Sequence, residues 1–180
     1  VQTCALPICP NLKGGFVSQK IAQFRASLGV AKIDREAGII RDAKIIMAGP
    51  ARGHGMVVDA TTLAEVKTCA ERFGAQGFPI KFNPGTLDHG QGGYLARALN
   101  TRVEGDAVFA DLHLLKNYEH RDYFMELAEQ MPDTFGLSID FDLGVEERDG
   151  QKLVRCKRLL AATAALMLAG SFFMPGGAPA

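Results

Sequence analysis

A chain of 180 residues, with 20 basic and 20 acidic side chains, has room for one domain and no net charge with which to gather nucleic acid or an anionic membrane. Its four cysteines, none in a Cys-x-x-Cys pair, exclude a disulfide scaffold and a zinc framework and fit a reducing compartment. The apolar run from Leu159 to Ala169 is too short for the ~20 residues of a membrane-spanning helix and is expected to form a buried helix.

In chain order, Val1 to Ile8 reads like the translation of a sequencing-adapter oligonucleotide. Residues 1–8 are therefore expected to be non-native and are left out of the fold reading. Residues 9–30 are weakly patterned, with a short helix predicted over Ser18 to Leu28. Gly38 to Ile46 is rich in isoleucine and reads as a strand, and the Gly/Pro-rich stretch from Ala48 to Gly55 as a loop. Thr62-Leu-Ala-Glu65 has the form of a capping box. Leu63, Val66, Ala70 and Phe73 follow at helical spacing, which predicts a helix from Thr62 to Phe73, closed by Gly74 and Gly77. Cys69 lies within that pattern as a core residue.

Phe78 to Phe82 is a short strand. Asn83 to Gly93, with Pro84 and four glycines, is a loop that carries His89. Tyr94 to Val103 and Ala107 to Leu115 read as strands joined by a Glu104-Gly105-Asp106 turn. Over residues 119–131 the period changes, and Phe124, Leu127, Ala128 and Met131 line one helical face before Pro132 ends it. Phe135 to Val145 is the clearest strand. Leu137, Ile139, Phe141 and Leu143 point one way, and Gly136, Ser138, Asp140 and Asp142 the other. The Asp149-Gly150 turn returns the chain as a second strand from Leu153 to Leu159. Residues 31–165 are expected to form the domain, and residues 166–180 a disordered or non-native tail. This order of elements predicts an α+β domain: a small, mostly antiparallel, barrel-like sheet flanked by helices.

Ser138 is the first candidate for chemistry. Its strand turns an apolar face to the core, and Gly136 leaves open space above the serine hydroxyl. Most serines on the outer face of a strand only meet water. A nucleophilic serine needs a base, and histidine is the usual one at neutral pH. Four are available. His54 lies in an early Gly-His-Gly loop, and His113 is on a strand beside Asp111. His120 opens a helix among charged neighbours, and His89 sits among glycines just before a strand. Asp88-His89 and Asp111-x-His113 are the competing metal-ligand pairs. No His-Glu-x-x-His or Cys/His framework accompanies them, so neither a metal centre nor a cofactor is expected.

Residues from about Phe78 to Val145 resemble the prohead (capsid maturation) serine proteases of tailed phages, a family related in fold to the herpesvirus assembly proteases. The resemblance rests on His89 in its glycine-rich loop and on the hairpin Val103-Glu-Gly-Asp-Ala-Val-Phe-Ala-Asp-Leu-His-Leu-Leu115. It also rests on the helix with Arg121-Asp-Tyr and Met131-Pro-Asp, and on Phe135-Gly-Leu-Ser-Ile-Asp-Phe141. It implies Ser138 as the nucleophile and His89 as its base. The implied substrates are phage capsid and scaffold proteins inside an assembling prohead in the bacterial cytoplasm, and a homo-oligomer is compatible with it. Two features depart from the family pattern. Asp88 precedes His89 where family members often have an aspartate after it, and no acid stands near Thr163, where the third catalytic group belongs. Asp140 and Asp111 are the fallback candidates for that group. The alternative is a catalytically inactive scaffold or capsid-assembly protein that keeps the protease fold, and a metal-dependent hydrolase ranks last.

Overall fold

Alternation of side chains along Phe78–Phe82 sends Phe78, Ile80 and Phe82 into the core and leaves Pro79 and Lys81 on the other face. The same period places Leu137, Ile139 and Phe141 on one side of their strand with no solvent exposure. Burying each such side chain contributes about 1.5–3 kcal/mol. The computed structural model describes residues 21–27, 32–51, 55–82, 93–132 and 135–166. The expectations for residues 1–8, for the end of the tail and for the loop that carries His89 lie outside the described residues.

In chain order the strands are β1 (Ile21–Ser27), β2 (Lys32–Asp34), β3 (Ile39–Met47), β4 (Gly49–Ala51) and β5 (Met56–Val58). After helix α1 (Ala60–Glu71) come β6 (Phe78–Phe82), β7 (Gly93–Glu104) and β8 (Ala107–Leu114). Helix α2 (Arg121–Gln130) then leads to β9 (Phe135–Arg148) and β10 (Gln151–Leu166). The main sheet runs in the order β1-β9-β10-β6-β7-β8-β3-β2, and the small β4–β5 pair joins it through β10. It curls into a half-barrel, with β1 and β9 lying against β3.

The expected α+β class holds, but the sheet is mixed rather than mostly antiparallel. β10 pairs antiparallel with β9 on one side and parallel with β6 on the other, and near its start it also runs parallel to β5. The stretch from β6 to β10 contains three antiparallel pairs of consecutive strands and the helix between β8 and β9, and it brings the chain back beside β6 in the same direction.

Both predicted terminal helices are strands. Residues 21–27 pair with β9 instead of forming the Ser18 to Leu28 helix, and β10 continues through Leu159 to Leu166. Ala161, Ala162, Thr163 and Ala164 are buried, so this part of β10 is covered on both faces and lacks the alternation that marks a half-exposed strand. Within the predicted loop from Ala48 to Gly55, Gly49–Ala51 form β4, which pairs antiparallel with β5.

Helix α1 forms where expected but starts and ends two residues earlier. Asp59 is its N-cap and accepts from the Thr62 backbone N–H at 2.9 Å, while the Thr62 hydroxyl accepts from the Asp59 N–H at 3.3 Å. The Thr62 hydroxyl also donates to Val154 O at 2.6 Å. Glu65 accepts from the Cys156 N–H at 2.8 Å, so two residues of the motif tie the helix to β10. On α2 the buried face is Phe124, Met125, Leu127 and Ala128, and Met131 is exposed at the helix end. Phe124 meets Phe82 edge-on at 5.0 Å and docks α2 at the end of β6.

Candidate functional site

Residues directly opposite each other on neighbouring strands share a sheet face. Ser138 on β9 is opposite Thr163 on β10 and Arg25 on β1, and Thr163 is opposite Lys81 on β6. Ser138, Thr163 and Lys81 therefore form one row across three strands. Ser138 lies on the face predicted for it, turned away from Leu137 and Ile139. The open space expected above it is not found: the side chain is 0 % exposed. Its Oγ has no hydrogen-bond partner among the described residues. A buried hydroxyl left unbonded costs about 1–3 kcal/mol, so this atom calls for an explanation.

Thr163, at the place where the resemblance looks for an acid, is the direct cross-strand neighbour of Ser138 and is itself buried. A threonine hydroxyl can share a hydrogen bond but carries no charge with which to stabilise an imidazolium. Asp140 follows on the Ser138 face, half-buried and opposite Ala161. Two residues along a strand correspond to about 6.6 Å, so Asp140 is a near neighbour of the serine but not directly against it.

Asp111 belongs to a different construction. One carboxylate oxygen accepts from the Asn100 side chain at 3.0 Å, and the other from the Asp42 backbone N–H at 3.1 Å. Asp42 and Asn100 both have positive φ, 59° and 53°, and each sits where the strand register slips, in β3 and β7. Aspartate and asparagine are among the residues that tolerate this conformation. Burial acts to raise the Asp111 pKa, but the Asn100 and Asp42 hydrogen bonds and the charges of Arg102 and Arg41 outweigh it and hold the carboxyl below its ordinary value. Asp111 pins the two bulges, which lie on the strands either side of β8.

His89 and His54 lie outside the described residues. The ends of the His89 loop are described, however. Phe82, the last residue of β6, pairs with Ala164, which pairs with Leu137, and Gly93 opens β7 opposite Phe82. The loop thus leaves and re-enters the sheet one row from Ser138, at a lateral distance from β9 of two and three strand spacings, or about 10 and 14 Å. Tyr118 touches both ends. Its hydroxyl donates to Phe82 O at 2.9 Å, and its ring lies so close to Gly93 that a Cβ there would come within 2.6 Å of ring atom Cε2. His113 is half-buried on β8 opposite Ile39 and Arg97. His120 is the N-cap residue of α2, edge-on to Tyr118 at 5.7 Å.

Sequence reasoning missed Tyr118 and also Arg155. The Arg155 guanidinium spans both carboxylate oxygens of Asp59, at 2.8 and 3.0 Å, and reaches Glu146 at 2.8 Å. Burial works against ionisation of Asp59, but the bonds from Arg155 and Thr62 prevail and hold its carboxyl at about 2. An acidic residue just before a helix was the available signal. Cys69 is in the core as predicted and packs against β10 beside Cys156. Burial, reinforced by Cys69, pushes the Cys156 thiol far up, so it is not a ready nucleophile.

Together these elements define an α+β fold of one curled mixed sheet, with a buried serine on the face opposite Leu137 and Ile139, one row from the end of β6. That fold is similar to the structure of the bacteriophage T4 capsid assembly protease, gp21, with a TM-score of 0.51 and 9 % sequence identity over 80 % of this chain and 94 % of that chain. At this identity the likeness concerns the fold. No protein-family model and no curated protein matches the sequence.

Proposed function

We propose that this chain is a serine endopeptidase that processes capsid and scaffold proteins during assembly of a phage head. Ser138 is its nucleophile and His89 its general base. The observation that carries the reading is the buried Ser138 hydroxyl, without a partner among the described residues and one row from the strand ends that hold the His89 loop. The fold likeness to a phage capsid assembly protease supports the same reading.

In the reaction, His89 takes the Ser138 proton as Oγ attacks a peptide carbonyl. The carbon–nitrogen bond breaks, the amine leaves with the proton from His89, and water then cleaves the acyl-serine ester and restores the hydroxyl.

A second reading, an inactive assembly protein with this fold, is favoured by Thr163. An uncharged residue stands beside the nucleophile strand where a carboxylate would help to orient the base. One experiment separates the two. Wild-type protein and Ser138→Ala are incubated with capsid and scaffold proteins and with an alkyl fluorophosphonate, and the products are followed by mass spectrometry. The protease reading expects cleavage and a single adduct on Ser138, both absent from the variant. A folded wild type that does neither overturns it and leaves the assembly role.

A further inference from the structure

We infer that Lys81 and Tyr94 form a specificity subsite of the Ser138 reaction, which takes an acidic side chain of the substrate about three to four residues from the scissile bond. The inference rests on the protease reading above and adds to it the class of polypeptide that is cut.

The row that contains Ser138 does not end at Lys81. Ser138 is opposite Thr163, Thr163 is opposite Lys81, and Lys81 is opposite Tyr94 on β7. The four side chains therefore share one face across β9, β10, β6 and β7, which are adjacent in the sheet. Alternation along each strand gives the same assignment. Lys81 stands between Ile80 and Phe82, which are in the core, and Tyr94 precedes Leu95, which is fully buried. Exposure rises along the row. Ser138 is enclosed, Lys81 is half-buried, and Tyr94 is 58 % exposed. The row thus runs from the nucleophile out to solvent.

Its outer end holds a cation with no counter-charge. Lys81 Nζ lies 5.8 Å from the centre of the Tyr94 ring, close enough for the negative face of the ring to attract it. Lys67 is paired with Glu71 along α1, whereas no carboxylate among the described residues lies within ion-pair distance of Lys81. An aromatic face carries no net charge, so it holds the ammonium without neutralising it. Tyr94 also brings a phenolic O–H that can donate to the same anion. The backbone of Lys81 is fixed from both sides, by β10 and by β7, as a specificity determinant requires.

Strand spacing sets which part of a substrate meets this pair. Lys81 and Tyr94 stand two and three strand spacings from Ser138, or about 10 and 14 Å. An extended peptide advances about 3.3 Å per residue. With its scissile carbonyl at Ser138 and its chain crossing the strands, it brings roughly its third or fourth residue over the pair. A negative side chain is attracted there and a positive one repelled, and that difference selects between substrates.

The test gives the full chain a library of peptides from a tryptic digest of a bacterial lysate, and the new ends are mapped by mass spectrometry. Wild type is expected to cut where Asp and Glu are enriched about threefold at that distance on one side of the cleavage point, the scale of a solvent-exposed ion pair. Lys81→Gln and Tyr94→Ala should flatten the enrichment. Lys81→Glu should replace it with Lys and Arg at the same place. Labelling by the alkyl fluorophosphonate, which has no side chain to offer the pair, and the thermal midpoint should match wild type in all three variants. An unchanged profile in Lys81→Glu overturns the subsite and leaves the protease reading intact. So does a wild-type profile without acidic enrichment at that distance, or a loss of labelling in the variants. If folded wild type neither takes up the fluorophosphonate nor cuts the library, the protease reading fails and the subsite falls with it.

Discussion

Two buried polar places on the same β9–β10 ladder are built in opposite ways. Around Arg155 every charged group is answered: the guanidinium bonds to Asp59, to Glu146 and to the carbonyl of Val154, and the cap of α1 is part of the same network. Further along the ladder, Ser138 is fully enclosed and its hydroxyl has no partner among the described residues. The first arrangement is what stability alone selects. The second leaves a buried hydroxyl unbonded among the described residues, which costs stability unless it serves another purpose.

Exchanging the two outcomes would break this comparison. The largest expected effect is that of Ser138→Ala, which should abolish hydrolysis while leaving the protein as stable as wild type or more so, because it removes an unbonded hydroxyl. A clear loss of stability would mean that the hydroxyl has a structural partner. Arg155→Ala should do the reverse. Removing the guanidinium leaves Asp59 partly buried and unpaired, and about 2–3 kcal/mol should be lost in urea unfolding while Ser138 keeps its reactivity.

Acid sharpens the same contrast. The folded Asp59 carboxyl lies at about 2, below its ordinary 3.8, so the unfolded chain binds the proton first as pH falls. The stabilisation is complete above about pH 4 and is lost as pH drops towards 2, amounting to about 2 kcal/mol. In Asp59→Asn, that part of the acid-dependent slope should disappear. The smallest effect is expected at the solvent-exposed Arg35–Glu129 pair between the β2–β3 turn and α2, with side chains 52 % and 51 % exposed. Arg35→Ala should leave the unfolding midpoint where it is, because exposed pairs are screened by water and salt.

Several elements were legible because their signal is local. The alternation of Leu137, Ile139 and Phe141 with Ser138 and Asp140 marked β9 and assigned its faces. The periodicity of Leu63, Val66 and Ala70 marked α1. The cap was misplaced by three residues because both Thr62-x-x-Glu65 and Asp59-x-x-Thr62 fit the pattern. The choice was made by Val154 and Cys156 on β10, which engage Thr62 and Glu65. Over Ile21–Ser27, residues with good helix propensity hid an alternation of Ala22, Phe24 and Ala26 with Gln23, Arg25 and Ser27. Pairing with β9 overrode the propensity. The bulges that Asp111 pins were not legible because its partners are Asp42 and Asn100, the first of them 69 positions away.

The sequence by itself determined that the chain forms an α+β domain, that β9 carries Ser138 away from the apolar face, and that Thr163 stands where an acid was sought. Those properties follow from side-chain period and from motif order, which neighbouring residues carry. Only the tertiary structure decided that β10 runs parallel to β6, that Thr163 is the direct neighbour of Ser138, and that Tyr118 meets Phe82 and Gly93. These contacts join residues far apart in the chain, and the free energy that selects them comes from burial and pairing that exist only once the sheet has closed.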